Sequence, residues 1–148
     1  MDQNIWEYDD FIFKGDELKG MTAKGKDKVK AGGQTDLVIP AVTPDGLPLK
    51  KIADNAFYRR GLTSVVIPDT VESIGYDAFG VCKLKEVKLP EALVNIEGFA
   101  FYRNKLTKVE FGSKVKRIEP SAFAMNELSE IALPETLEYI GASAFYKN

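Results

Sequence analysis

The sequence contains no histidine and a single cysteine, Cys82, among its 148 residues. Without histidine, no imidazole is available to activate a serine or cysteine nucleophile or to bind a metal ion. A single cysteine cannot form an internal disulfide bond or a zinc site that is built from several thiolates. The glycines follow neither the phosphate-loop spacing nor the dinucleotide-binding spacing. We therefore predict no metal site, no cofactor and no catalytic residue of these classes.

The sequence also lacks a strong excess of one charge and a long apolar segment. Twenty Lys and Arg residues stand against twenty-two Asp and Glu residues, which leaves a formal charge of −2. Because nucleic-acid-binding proteins commonly carry a basic excess, we predict no nucleic-acid partner. No apolar run approaches the roughly 18 residues that span a bilayer, so we expect no membrane insertion by this chain. Residues 1–10 lack the basic and apolar pattern of a secretory signal.

A repeat of 22 residues runs through most of the chain and carries an Ala-Phe dipeptide in every copy. An isoleucine lies five positions before each of these phenylalanines. The five dipeptides begin at Ala56, Ala78, Ala100, Ala122 and Ala144. A regular spacing of this length predicts a repeat architecture in which each unit buries its apolar residues against its neighbours.

Each unit predicts two short extended segments followed by a turn. In the second unit the segment Val65-Val66-Ile67 alternates inward and outward, which is typical of a strand with one buried face, and Pro68 ends the strand. Residues 71–74 form the second extended segment. Four of the five residues that precede Ala-Phe are good helix N-caps, so we predict that each Ala-Phe opens a single helical or 3-10 turn. The five preceding residues are Asn55, Asp77, Phe99, Ser121 and Ser143.

The motif L-x-x-[VI]-x-[LI]-P-x-x-[LV]-x-x-I-G-x-x-A-F occurs as LTSVVIPDTVESIGYDAF at 62–79 and as LSEIALPETLEYIGASAF at 128–145. It resembles the BspA-like class of leucine-rich repeats, although the glycine after isoleucine is kept only at Gly75 and Gly141. The resemblance implies a mostly β repeat solenoid, in which right-handed leucine-rich-repeat coils form a parallel strand ladder with short helical or 3-10 turns. It also implies protein binding or adhesion, without catalysis, on the extracellular surface of a bacterium.

The repeat phase divides the chain into an N-terminal cap, 1–33, and five leucine-rich repeats. The repeats span 34–61, 62–83, 84–105, 106–127 and 128–148. Trp6, Tyr8 and Phe11 are apolar enough to lie over the open end of the first coil, as the cap of a solenoid does. Thr22 is predicted to cap a short helix that runs to Lys30.

The other end of the repeat array has no cap in the sequence, because the chain stops at Asn148 directly after a repeat motif. The last coil would then present apolar side chains and unpaired strand edges. Either the chain is a piece of a longer array, which we favour, or this uncapped C-terminal coil associates with a second copy. On the first alternative, a secretion signal and a surface anchor are expected elsewhere in the parent protein.

The outward positions of the first extended segments form two stripes along the predicted ladder. The first stripe is Asp36, Ser64, Glu86, Lys108 and Glu130, and the second is Val38, Val66, Lys88, Glu110 and Ala132. Paired strands lie about 4.8 Å apart, so neighbours along a stripe are within side-chain reach. The alternating signs favour a solvated charge ladder over a site for a charged ligand. Val38 and Val66 are candidate anchors for a partner, although valine is also common in strands.

A second candidate surface is the ridge of tyrosines and basic residues that follows the Ala-Phe dipeptides. It consists of Tyr58, Arg59, Tyr102, Arg103 and Tyr146. Tyrosine and arginine are common interface anchors, so the ridge is a candidate contact for a protein or a glycan. The alternative, which we favour, is that each tyrosine packs over the smaller residue on the next coil.

These observations predict a binding or adhesion module whose partner is a host or cell-surface protein, with a glycan as the second candidate. A structural spacer that presents another domain is the alternative function. A carboxylate-based hydrolase is a remote third alternative, because acidic residues are plentiful but no motif supports such a site.

Overall fold

The structure, a computed structural model, describes residues 5–30 and 33–148. A 3-10 turn at Tyr8–Asp10 leads into strand β1 (Phe11–Lys14), strand β2 (Glu17–Met21) and helix α1 (Ala23–Val29). The strands that follow α1 are β3 (Asp36–Val38), β4 (Lys51–Ile52), β5 (Ser64–Val66), β6 (Ser73–Ile74), β7 (Glu86–Lys88), β8 (Asn95–Ile96), β9 (Lys108–Glu110), β10 (Arg117–Ile118) and β11 (Tyr139–Ile140).

The second extended segment of each repeat builds one continuous sheet. Its strand order is β1-β2-β4-β6-β8-β10-β11. Only β1 and β2 pair antiparallel; every later pair is parallel and in register. The isoleucines that precede the Ala-Phe dipeptides therefore lie side by side along the sheet. The predicted fold class, a mostly β repeat solenoid with a parallel strand ladder, is confirmed.

The first extended segments do not form the single unbroken ladder that the sequence predicts. Strand β3 pairs with β5 and β7 pairs with β9, both in parallel, and no ladder joins β5 to β7 in the part of the chain that the structure describes. Residues 130–132 of the fifth coil do not form a strand.

The core is a column of stacked side chains that runs through all five coils. Phe57, Phe79, Phe101 and Phe123 are fully buried, and Phe145 is half-buried. Their rings stack with nearly parallel planes, and the centroids are 5.3 to 5.6 Å apart between successive coils. The inward position that the repeat predicts for each phenylalanine therefore places it directly on the phenylalanines of its neighbours.

The turns around these phenylalanines are not the helical or 3-10 turns that the N-cap pattern predicts. The residue before each Ala-Phe has a φ between 53° and 61°, in the left-handed region, whereas an N-cap residue is extended. The Ala56 amide donates to the Ala53 carbonyl and the Arg60 amide donates to the Phe57 carbonyl, both at 3.2 Å, which closes successive β-turns. The Phe57 amide instead donates to Ala78 of the next coil at 2.8 Å. Alternate amides thus close turns and join coils.

The N-terminal segment joins the solenoid through β2, which pairs in parallel with β4. The prediction of a short helix after Thr22 is confirmed, because the Thr22 hydroxyl accepts a hydrogen bond from the Gly25 amide at 3.2 Å. Gly25 lies so close to the Asp10 carbonyl that a Cβ atom would meet its oxygen at 2.1 Å. Residues 1–4 and 31–32 of the predicted cap lie outside the described residues. None of the helices described is long and apolar enough to cross a membrane.

Candidate binding surface

The ten residues of the two predicted stripes, which we call the strand face, lie on the first extended segments. In β3, β7 and β9 the middle residue is buried and its two neighbours are exposed. The register is the predicted one within each pair of strands. It places Asp36 beside Ser64, Val38 beside Val66, Glu86 beside Lys108 and Lys88 beside Glu110. The remaining two residues, Glu130 and Ala132, are exposed on the irregular segment of the fifth coil.

The charged side chains of the strand face do not form the expected ladder of cross-strand ion pairs. The Lys108 ammonium lies 3.4 Å from the Glu110 carboxylate on its own strand, and both side chains are more than half exposed. Within the described ranges, Glu86 and Lys88 form no ion pair with any residue. An exposed pair of this kind contributes little to stability. Glu86 and Lys88 are therefore available to a partner, whereas the Asp36 carboxylate accepts a hydrogen bond from the Ser64 hydroxyl at 2.6 Å.

The strand face is apolar at its N-terminal end. Val38 and Val66 are 52% and 59% exposed and lie side by side in register. Val38 also borders a groove of about 670 Å³. The other residues of this groove are Ile5, Trp6, Glu7, Tyr8, Phe11 and Pro40.

Hydrogen bonds hold two of the three aromatic residues of this groove. The Trp6 indole nitrogen donates to the Asp36 carbonyl at 2.8 Å, and the Tyr8 hydroxyl donates to the Val42 carbonyl at 2.8 Å. Sequence reasoning assigned both residues to covering the first coil and missed their position beside the strand face. The cluster of aromatic residues in the cap was the available signal.

At the other end, the strand face borders a larger groove of about 1040 Å³. Five predicted residues of the strand face line it, namely Lys88, Lys108, Glu110, Glu130 and Ala132. Phe111 and Ile131 also line the groove and are only partly buried. Strand alternation predicts that both lie in the core, so sequence reasoning did not include them in a surface. The groove thus combines charges of both signs with apolar contacts.

The tyrosines of the predicted ridge differ from one another in what they contact. The Tyr58 ring lies over Gly80 of the next coil, where a Cβ atom would meet the ring at 3.2 Å, and the Tyr58 hydroxyl accepts from Arg59 at 3.0 Å. Tyr102 instead packs edge-on against Phe99, with centroids 5.1 Å apart. Tyr146 is 57% exposed. The packing at Tyr58 fits the structural alternative. Arg103 is exposed beside these rings.

Two carboxylates, Glu97 and Glu119, directly follow strands β8 and β10 of the seven-stranded sheet, away from the strand face. Burial raises the pKa of the Glu97 carboxyl, and the Glu119 carboxylate raises it further. Asn95 donates a hydrogen bond to Glu97, and Arg117 donates to Glu119 at 2.7 Å. Both carboxylates are therefore bound by neighbouring side chains. No group of three or more His, Cys, Asp and Glu residues within 5–30 and 33–148 is placed to hold a metal ion.

Solved structures of bacterial leucine-rich repeat proteins share this fold. A leucine-rich repeat protein of T. pallidum is 29% identical, with a TM-score of 0.75 over 88% of this chain and 58% of that chain. The pneumococcal vaccine antigen PcpA is 20% identical, with a TM-score of 0.66 over 92% of this chain and 44% of that chain. The chain thus spans less than two thirds of the length of either protein. No curated protein matches its sequence.

The sequence motif and the stacked coils agree with a family profile. The BspA type leucine rich repeat region matches residues 50–148 in six copies. The match covers the four regular coils and the end of the first, where the Ala-Phe dipeptides and their isoleucines recur. The chain belongs to the BspA-type leucine-rich repeat family.

Proposed function

We propose that the chain is a protein-binding or adhesion module of a bacterial cell-surface protein and that the strand face is its contact surface. The observation that carries this proposal is the state of the strand-face charges. Lys88 and Glu86 have no ion-pair partner within the described ranges, and Lys108 pairs only with Glu110 of its own strand. The unpaired charges of Glu86 and Lys88 are free to pair with a partner and to orient it, and the exposed pair of Lys108 and Glu110 can exchange its weak mutual contact for one to a partner.

The chemistry of the strand face fits a protein partner. Charges of both signs alternate along its C-terminal part, from Glu86 to Lys108 to Glu130, so a uniformly charged polymer would meet repulsion there. The exposed pair Val38 and Val66 adds apolar area beside the groove that Trp6 and Tyr8 line. Interfaces between proteins typically combine an apolar centre with a polar rim. A host protein or another cell-surface protein is therefore the expected partner.

Membership of the BspA-type family supports an extracellular location on the bacterial surface. The test is binding of antibodies raised against this domain to intact cells of the source bacterium, compared with lysed cells. Equal labelling of intact and lysed cells is expected. Labelling that appears only after lysis would contradict the surface location.

The binding proposal is tested with immobilised extracellular-matrix and serum proteins. We expect at least one of them to bind the folded domain in biolayer interferometry. Exchanging the charges in Lys108→Glu with Glu110→Lys should weaken that binding at least tenfold. The matched control is Arg117→Glu with Glu119→Arg, because these residues form an ion pair with the same spacing on the other sheet, at 2.7 Å. Both exchanges leave the net charge unchanged.

The outcomes separate binding from a purely structural spacer, which is the alternative function. A spacer tolerates both exchanges and binds none of the proteins. Binding that survives the Lys108 and Glu110 exchange would contradict the strand face as the contact surface. Binding that is weakened equally by the control exchange would show that the loss reflects stability rather than contact.

A further inference from the structure

One edge of the solenoid carries an excess of basic residues that the near-neutral total charge conceals. This basic edge comprises residues 58–63, 80–85, 102–107, 124–129 and 146–148, which follow the phenylalanine in each coil. Its basic residues are Arg59, Arg60, Lys83, Lys85, Arg103, Lys105 and Lys147, and its one acidic residue is Glu127. The remainder of the chain contains thirteen basic and twenty-one acidic residues. The charges are therefore segregated between this edge and the rest of the surface.

Hydrogen bonds between coils stack the segments of the basic edge in register. The Arg59 amide donates to the Gly80 carbonyl and the Arg103 amide donates to the Ala124 carbonyl, both at 3.0 Å. The Lys105 amide donates to the Leu84 carbonyl at 2.9 Å. Coils that are hydrogen-bonded to each other in this way lie about 4.8 Å apart, as paired strands do, so basic side chains on neighbouring coils are within reach of one ligand. The basic residues thus form a line along the solenoid axis.

The basic residues of this edge are not neutralised by the protein. Six of the seven are exposed and Arg60 is half-buried. None forms an ion pair with a carboxylate in the ranges 5–30 and 33–148. Two lysines of the cap differ, because Lys24 pairs with Asp9 at 2.7 Å and Lys28 pairs with Asp10 at 2.5 Å. An anionic ligand along the edge would relieve the repulsion among its like charges.

Two of the three tyrosines on this edge favour a ligand that accepts hydrogen bonds over one that stacks its bases. One face of the Tyr58 ring lies against Gly80, and the Tyr102 ring packs on Phe99. Single-stranded nucleic acid is typically held by stacking of its bases on free aromatic faces. A hydroxyl such as that of Tyr58, which already accepts from Arg59, can still donate its proton to a ligand oxygen.

We propose that the basic edge binds a linear sulfated polysaccharide that runs along the solenoid axis. Arginine and lysine side chains donate charge-assisted hydrogen bonds to such anionic oxygens. A linear polymer follows the narrow line of cations, whereas a broad duplex would also approach the acidic residues of the flanking strand face, such as Glu86 and Glu130. This site is separate from the strand face and does not depend on the function proposed for it.

Heparin is the probe that tests this inference. We expect the folded 148-residue chain to bind heparin at low ionic strength in isothermal titration calorimetry, with an affinity that falls steeply as salt is added. The triple variant Lys83→Gln, Lys85→Gln, Lys105→Gln should weaken binding at least tenfold. These three residues have ordinary backbone angles, so the left-handed turns stay intact.

Matched controls distinguish binding at the basic edge from a general attraction between basic residues and a polyanion. The control Lys14→Gln, Lys51→Gln, Lys114→Gln removes three exposed basic residues elsewhere and should change the affinity less than twofold. The Lys108 and Glu110 exchange should also leave heparin binding unchanged, which distinguishes this site from the strand face. Three results would overturn the proposal: no binding by the folded chain, equal losses in both triple variants, or equal affinity for desulfated heparin. Tighter binding of single-stranded DNA or polyglutamate would overturn the assignment to a polysaccharide.

Discussion

Phe79 stacks on Phe101 with ring centroids 5.3 Å apart and ring planes only 8° from parallel. The two residues are one repeat apart in the sequence, and both are fully buried. The same contact recurs along the whole column, so each phenylalanine in the middle coils is covered by rings on both sides. The apolar core of this protein is consequently a line of equivalent contacts between neighbouring coils, as expected of a solenoid.

Removing a ring from the middle of this column should be strongly destabilising. Phe101→Ala removes a fully buried side chain and leaves a cavity between Phe79 and Phe123. We expect the free energy of unfolding in urea to fall by about 3–5 kcal/mol. Tyr146→Ala, at a position that is 57% exposed, is the control and should change it by less than about 0.5 kcal/mol. A loss below about 1 kcal/mol for Phe101→Ala would contradict the role of the column.

Asn104 supplies buried hydrogen bonds that join adjacent coils. Its side-chain oxygen accepts from the Leu84 amide at 3.0 Å, and its nitrogen donates to the carbonyls of Phe79 and Phe101 at 2.9 and 3.1 Å. Asn104→Ala leaves these groups buried without a partner. We therefore expect the free energy of unfolding in urea to fall by about 1–3 kcal/mol.

Cys82 occupies the equivalent position of the preceding coil and provides a reciprocal test. Its thiol donates to the Phe57 carbonyl at 3.3 Å, a weaker bond than an amide makes. Cys82→Asn should therefore stabilise the protein by about 0.5–1.5 kcal/mol, measured in the same unfolding assay. Destabilisation by Cys82→Asn would show that this position packs a thiol better than it packs an amide.

Val81 is held in a backbone conformation that branched residues rarely adopt. Its φ is 54°, in the left-handed region, which costs about 1–2 kcal/mol for an ordinary L-residue and is most unfavourable for a β-branched one. Asparagine tolerates this region, so Val81→Asn should raise the free energy of unfolding by about 1 kcal/mol. Val66→Asn, in strand β5, is the control and should give no gain. A net loss for Val81→Asn would mean that the packing of the valine outweighs its backbone strain.

The pKa of Glu97 predicts a pH-dependent stability. Burial, assisted by Glu119, holds this pKa above its ordinary value of 4.5. The protonated carboxyl therefore favours the folded state, and this contribution is lost as the pH rises through the raised pKa. Glu97→Gln keeps an oxygen that accepts from Asn95 and removes the charge. We expect a higher Tm than that of the wild type at neutral pH, with the difference shrinking as the pH falls towards 4.5.

Glu135→Gln provides the control for the pH series, because it removes the same charge from an exposed residue that makes no described hydrogen bond. Thermal unfolding of the three proteins by circular dichroism, across the acidic range, measures the effect. A difference between Glu97→Gln and the wild type that does not change with pH would contradict the titration of this carboxyl.

The turn that contains each Ala-Phe shows where sequence reasoning was wrong and why. Asn55 and Asp77 precede the dipeptide in two coils, and both residue types favour two different places, the N-cap of a helix and the left-handed region. The residue type alone does not separate these two roles. The choice is made by the neighbouring coil, because the amides of Asn55 and Asp77 donate to carbonyls of the next coil at 2.8 and 3.2 Å.

The sequence by itself determined the period, the inward residues and the parallel register, because side chains that recur every 22 residues bury their surface only when the coils stack in phase. It also contained the basic edge, which appears once charges are compared between equivalent positions of the coils. Only the tertiary structure decided that Lys108 pairs along its strand and that the first ladder breaks after β5. These features depend on side-chain reach and on weak pairing of three-residue strands, which a repeat pattern does not encode.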